Sequence, residues 1–232
     1  DQHGEEMHKS KGNASEFNQA ASEQGADPMR WLYASHNPDH DLWFGVDPIH
    51  QARREFLVLW NVHQFFLTYA RIDGFDPTES EPPVSERSDL DRWILSRLAE
   101  LVESAHRNYA GFSVHLFMRD VLSFIDGLSR WYLRRSRRRI WKNEDEADKR
   151  AAYQTLWECL STVTRLLAPV VPFVTEEMYQ QLERAYDDSA PVSVHLTDFP
   201  RVEDFTDDGA LLETMSAVLA IVEQGHAARN KA

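Results

Sequence analysis

Cysteine is nearly absent. Cys159 is the only one, which excludes an intrachain disulfide and a cysteine cluster for zinc and fits a cytosolic setting. Long apolar runs are missing as well. No stretch approaches the roughly 20 apolar residues that cross a bilayer, and residues 1–20 are polar without a secretory pattern, so no membrane partner is expected. Metal-ligand spacing is absent too. His36, His40, His50 and His63 are separated by turns and helix; His36 and His40 are four apart but straddle the Asn37-Pro38-Asp39 turn rather than share a helix face, so no metal site is expected. Positive charge is the minority sign, with 25 Lys and Arg against 38 Asp and Glu and a net charge of −13.

What is present is an ordinary globular composition, 42% hydrophobic and 27% charged, with enough Trp, Phe, Tyr and Leu for a core. The scarce positive charge is concentrated. Residues 130–142 read RWYLRRSRRRIWK, with seven basic residues and no acidic one, which leaves −20 for the rest of the chain. A local positive field on an acidic body suits polyanion binding at one place only.

Hydrophobic periodicity predicts helices over most of the length. Residues 1–15 read as a loop, and 16–35 as two short helices broken at Gly25 and Pro28. Leu42-Trp43-Phe44 suits a short strand. A helix starts at Asp47-Pro48 and runs to about Ala70. Residues 72–88, with Pro77, Pro82 and Pro83, read as a linker. Beyond it, Leu90, Trp93, Ile94, Leu98, Leu101, Val102 and Ala105 recur at helical spacing. So do Phe117, Val121, Phe124, Leu128 and Tyr132, and then Tyr153, Leu156, Trp157, Leu160, Val163 and Leu167. Thr175 can cap a fourth helix, residues 192–196 suit a short extended piece, and a last helix fills about 208–229. Four stripes on short links predict a mainly all-α, antiparallel helical bundle. Trp31, Trp60, Trp93 and Trp157 are expected in its core.

Two places carry chemistry. Met7-His8-Lys9-Ser10-Lys11-Gly12-Asn13 sets two lysines about a serine in a loop that Gly12 leaves mobile, suited to a polyphosphate. Alone this pattern is weak, and any exposed loop could carry it. In 130–142, a projection at 100° per residue puts Arg130, Arg134, Arg137, Arg138 and Trp141 on one arc, opposite the apolar stripe. It puts Arg135 and Arg139 toward the stripe, where arginine needs a carboxylate. The outward group can meet a nucleic-acid backbone, with Trp131 or Trp141 available to stack on a base. The competing reading is a solvated face paired with Glu144, Asp145, Glu146 and Asp148.

The order of these segments resembles a known family. After the loop come Gly25-Ala26-Asp27-Pro28-Met29-Arg30-Trp31-Leu32, Asp41-Leu42-Trp43-Phe44, Ala52-Arg53-Arg54-Glu55-Phe56-Leu57 and Leu59-Trp60-Asn61. Then come Ser88-Asp89-Leu90-Asp91-Arg92-Trp93-Ile94-Leu95-Ser96-Arg97 and Leu167-Ala168-Pro169-Val170-Val171-Pro172-Phe173-Val174-Thr175-Glu176-Glu177. The series resembles the class I aminoacyl-tRNA synthetases for isoleucine, valine and leucine, from their K-M-S-K-S signature through the anticodon-binding bundle, and covers nearly the whole chain. Trp131 to Trp141 and Val194-His195-Leu196-Thr197-Asp198-Phe199-Pro200 look more like the isoleucine enzymes than the valine enzymes.

The resemblance implies a division into 1–71 (signature loop and a stem-contact-like segment of mixed α/β character), 72–88 (linker), 89–200 (anticodon-binding bundle) and 201–232 (a helix leading to a further region). It implies an ATP-dependent ligase that joins isoleucine to tRNA(Ile) with Mg²⁺, monomeric and cytoplasmic. Lys9 aligns with the second signature lysine as the catalytic cation, and Lys9, Ser10 and Lys11 as ATP-phosphate contacts. Arg130, Trp131, Arg134, Arg137, Arg138 and Trp141 become tRNA contacts. The signature is incomplete, since Glu6 and His8 stand where the family has Lys and Ser. No H-I-G-H-type signature and no Gly-rich βαβ unit is present, so ATP and isoleucine would be held by domains outside this chain, and the piece alone should not aminoacylate. Two alternatives stand beside this one: a valine enzyme of the same fold, or a non-catalytic helical interaction bundle, which explains the stripes but neither the loop lysines nor the run at 130–142.

Overall fold

A computed structural model describes residues 1–14, 16–79, 82–142 and 146–231. Its elements are α1 (Phe17–Gln24), α2 (Ala26–Ser35), α3 (Val46–Asp73), α4 (Asp89–Ala110), α5 (Val114–Asp126), α6 (Arg134–Lys142), α7 (Glu146–Leu167), α8 (Pro172–Tyr179) and α9 (Gly209–Lys231). A π-helical segment, Gly127–Leu133, joins α5 to α6 without a break.

The local reasons are visible at the helix ends. Gly25, at φ 87°, ends α1 and opens α2, so the break falls at the glycine alone, and Pro28 sits in the first turn of α2, where a missing N–H costs nothing. Gly45 precedes α3, one residue ahead of the expected start, and Gly74 closes it in the left-handed conformation. Ser88 caps α4 by accepting from the Asp91 N–H. Asp208 does the same for α9 through Leu211 and is also ion-paired to Arg92 of α4.

The three long stripes read from the sequence face the core, with Leu90 and Trp157 half-buried and the other named residues buried. Phe117, Val121, Phe124, Leu128 and Tyr132 are each at most 1% exposed, and burial of such side chains contributes about 1.5–3 kcal/mol apiece. Trp31 and Trp93 are fully buried in the same continuous core, with Trp60 and Trp157 packed at its margin. That core spans α2 to α8. Phe66 and Phe75, at the end of α3, pack on Tyr153 of α7, with ring centroids 6.4 and 5.4 Å away.

Three expectations are corrected. Among the described residues no strand forms. Leu42–Phe44 has no regular structure, and its Phe44 stacks on Tyr33 instead. Residues Val194–Leu196 form a single 3₁₀ turn, because Glu176 accepts from both the Ser193 hydroxyl and the Val194 N–H and holds the chain curled. α8 begins at Pro172 rather than after Thr175. Thr175 lies inside it, with its hydroxyl donated back to the Val171 carbonyl, and the capping carboxylate comes from Asp27 on α2. Asp27 Oδ2 accepts from the Val174 N–H at 2.7 Å.

The segment read as a linker is pinned at both ends. Phe75 is buried, and Arg87 donates to both Glu158 oxygens at 2.9 and 3.0 Å and to the Thr155 hydroxyl; residues 80 and 81 lie outside the described residues. Among the described residues, no helix is long and apolar enough to cross a membrane.

Candidate nucleic-acid interface

The helix from Val114 to Lys142 keeps one face inward for its whole length, and that needs explaining. At 100° per residue a stripe spaced every four residues drifts by about 40° per step. From Phe117 to Ile140 it would swing well off the core. Yet Tyr132, Leu133, Ser136 and Ile140 are all buried. The π segment supplies the correction. It accommodates one extra residue, about 100° of helical phase, and so rotates everything after it back into register. Once that is subtracted, Tyr132, Ser136 and Ile140 point to the core, Arg139 sits at its edge, and Arg134, Arg137, Arg138 and Trp141 point away.

This overturns the expectation for Arg135. A uniform projection puts it toward the stripe, but it is exposed, with its guanidinium 3.7 Å from the Trp131 ring centroid. Burial against that ring, then repulsion from Arg134, lowers its pKa. Arg139 behaves as expected. It donates from Nη1 and Nη2 to the two oxygens of Asp91 at 2.9 and 2.7 Å, and from Nε and Nη2 to Asp148 at 3.0 and 2.6 Å. Asp91 is fully buried and also accepts from the hydroxyls of Tyr132 at 2.7 Å and Ser88 at 2.6 Å. Burial alone would raise its pKa; the Arg139 fork and these hydroxyls outweigh it and hold the carboxylate below its ordinary range.

The outward arginines differ in how free they are. Arg130 is paired with Asp126, 2.9 Å away. Arg134, Arg137 and Arg138 have no ion-pair partner among the described residues, and Arg137 lies 5.8 Å from the centroids of both Phe65 and Trp141. Trp141 is half exposed and meets Phe65 and Tyr69 of α3 at 6.2 and 5.8 Å. Of the acidic residues expected to neutralise this face, Asp148 is turned to Arg139, and Glu144 and Asp145 lie outside the described residues. The contribution of α3 has no signal in the sequence. Phe65 and Tyr69 share a helix face, but nothing in their spacing says which helix they meet.

The lysine loop is a separate feature. Lys9–Lys11 form one exposed 3₁₀ turn that Gly12, at φ 71°, closes by donating to the Lys9 carbonyl. Asn13 braces it, accepting from the His8 N–H and donating to the Glu6 carbonyl and Asp1. His8 is turned onto Glu6 at 3.1 Å, and Lys11 faces Glu5 at 3.9 Å. Lys9 and Ser10 are exposed, and Lys9 has no ion-pair partner among the described residues. The loop meets the start of α3, where Gln2 accepts from the Asp47 N–H, whereas Trp141 lies beside Phe65 and Tyr69. At 1.5 Å per residue the two features are roughly 30 Å apart along α3. No group of His, Cys, Asp and Glu among the described residues could hold a metal ion.

Comparison with known proteins agrees with this architecture. Residues 91–232 match the family model described as the anticodon-binding domain of tRNA ligase. The isoleucine–tRNA ligase of Dehalococcoides mccartyi is 43% identical over all of this chain, which covers 23% of that relative. That of Thermus thermophilus is 41% identical, with 100% of this chain and 22% of the relative covered. The chain thus spans under a quarter of the length of the curated relatives it matches. Two solved structures share the fold. One is the ternary complex of Agrobacterium radiobacter LeuRS with tRNA and LeuAMS (TM-score 0.64, 17% identity, 88% of this chain and 23% of that one). The other is Mycobacterium tuberculosis methionyl-tRNA synthetase with methionyl-adenylate (TM-score 0.61, 21% identity, 86% and 42%).

Proposed function

The chain belongs to the anticodon-binding domain family of tRNA ligases, and from that premise we propose that it is the tRNA-binding part of an isoleucine–tRNA ligase. Its surface for tRNA(Ile) is the outward face of α6. The observation that carries this is the set Arg134, Arg137 and Arg138, three exposed guanidinium groups with no ion pair among the described residues, on a chain of net charge −13. Phosphate is the anion such a face would hold, and Arg130 would join it by exchanging Asp126 for RNA. Trp141, propped by Phe65 and Tyr69, offers a ring edge and face for an unstacked base. Trp131 is already covered on one side by Arg135.

The exposed Lys9 fits a second role in the same reading. In the parent enzyme, ATP would supply the phosphoanhydride that activates isoleucine. Lys9, with Ser10 and Lys11 in the same turn, would hold its phosphates and steady the charge on the departing pyrophosphate. Glu6 cannot help, and Lys11 is drawn toward Glu5. Mg²⁺ would arrive with the nucleotide, and no step is derived through it. The domain limits 1–71, 72–88, 89–200 and 201–232, a monomeric state and a cytoplasmic location belong to this proposal.

Titration of tRNA(Ile) against the chain over a range of salt tests it. The logarithm of the affinity should fall linearly with that of the salt concentration, with a slope magnitude of about 2–3.6 from three or four neutralised phosphates. Salt-independent binding, or none at low salt, would overturn the assignment.

A further inference from the structure

We propose that Asp91 and Arg139 are positioning residues for RNA binding, a clamp that sets the rotation of α6 and thereby aims the arginine face. The inference rests on the assignment of that face to tRNA. α6 has reason to need a clamp. It is nine residues long, and Arg134–Arg138 and Arg135–Arg139 place like charges at i, i+4, which destabilises a helix. It also follows a π segment, a place where the phase of the helix can slip by a residue.

One carboxylate addresses both weaknesses. Asp91, from α4, accepts the hydroxyl of Tyr132, inside the π segment, and the forked guanidinium of Arg139, two turns further on. Tyr132 donates to the Ala152 carbonyl of α7 as well, at 3.1 Å, and Asp148 closes the other side of the fork. Two helices, α4 and α7, thus fix the angle at which α6 leaves the π segment. Arg139 itself does not reach out. Its side chain is 15% exposed and its N–H groups are spent on two aspartates.

The sign of the effect separates positioning from simple electrostatics. Asp91→Asn removes a negative charge from a protein that binds a polyanion, so charge alone makes binding tighter. Loss of the clamp makes it weaker, because the outward arginines no longer share one aim. Labelled tRNA(Ile) is titrated across a salt series against the parent chain, Asp91→Asn, Tyr132→Phe, and Glu213→Gln as an exposed carboxylate on α9. The combined Arg134→Ala, Arg137→Ala, Arg138→Ala variant is run beside them, with helix content followed by circular dichroism.

Every phosphate left without its arginine should weaken binding about 5-fold near 0.15 M salt and lower the slope magnitude by about 0.7–0.9. Asp91→Asn should release about two phosphates in this way, and Glu213→Gln none. Tighter or unchanged binding by a folded Asp91→Asn protein overturns the clamp. If that variant does not fold, Tyr132→Phe, which removes only a hydroxyl, decides the matter. It should bind more weakly, and unchanged binding overturns the clamp. If the triple arginine variant binds as well as the parent chain, the face itself is misassigned, a different failure from that of the clamp.

Discussion

Removal of the three unpaired arginines is the sharpest perturbation of the proposed interface. Arg134, Arg137 and Arg138 point away from the core, and none is held by a carboxylate among the described residues. Their replacement by Ala should therefore leave the melting temperature nearly unchanged; surface changes of this kind fall within about 0.5 kcal/mol. If each neutralises one phosphate, the salt slope should fall in magnitude by about 0.7–0.9 per residue, a little over 2 for the set. Extrapolated to about 0.15 M salt, that is roughly a 100-fold loss of affinity. The loss should be the same for any tRNA, since phosphate carries no sequence. Trp141→Ala is the contrast. Removing a stacking platform should cost about 1–3 kcal/mol of binding and leave the slope alone. Filter binding or anisotropy at four or more salt concentrations reads both quantities. Unchanged slope and affinity in the triple variant would refute the reasoning, and tRNA would then be bound elsewhere on the bundle.

Other outcomes follow from other parts of the molecule. In the full-length parent, Lys9→Ala should slow ATP–pyrophosphate exchange by about 10²–10³, as when one cation that stabilises the transition state is removed, with tRNA affinity retained because the loop and α6 lie at opposite ends of α3; an unchanged exchange rate would rule out the assignment. His63 is fully buried with no partner for Nε2 among the described residues, and burial, then Arg71, lowers its pKa to about 4. Below about pH 6.5 the unfolded chain takes up a proton that the native state refuses, so stability should decline from there to about pH 4, by about 3 kcal/mol in all. His63→Leu should flatten that part of a urea-denaturation series; an equally steep decline in the variant would count against it. Asp27→Ala should cost about 1–2 kcal/mol by uncapping α8, and Asp27→Asn much less, in thermal melts.

The helices and their buried faces are legible because each stripe follows one period in one stretch of chain. What is not legible depends on departures from that period or on distant partners. Arg135 projects inward only because a uniform 100° projection cannot contain the π segment, and no residue in 127–133 announces it. The one visible clue is that positions 124, 128, 132, 136 and 140 repeat at strict fours, a spacing a regular helix cannot keep buried for so long. Arg139 projects correctly for an incomplete reason. Its need for a carboxylate is clear, but Asp91 lies 48 residues away, and sequence spacing offers Asp148 first. The strand expected at 42–44 fails because β-propensity without a neighbouring strand has nothing to pair with. Asp27 as the cap of α8 has no local signal, since the two are joined only by the fold. The motif of residues 25–32 and that of 167–177 meet in space: Asp27 caps the N–H groups of α8, and Arg30 donates to the Pro169 and Val170 carbonyls.

The acidic body gives the arginine face more than contrast. Seven positive charges lie within residues 130–142, and the remainder of the chain carries −20. At physiological ionic strength, fields decay over about 8 Å, so on the proposed assignment an approaching RNA would be drawn to α6 chiefly when that face is turned toward it. Over other exposed acidic surface the same RNA meets repulsion of the kind that lowers affinity for wrong orientations. Misaligned encounters are rejected without any single group having to discriminate among them. A net-positive bundle of the same shape would bind RNA more tightly and in many registers. On the proposed assignment, the low net charge would therefore be part of how a small basic face selects one pose.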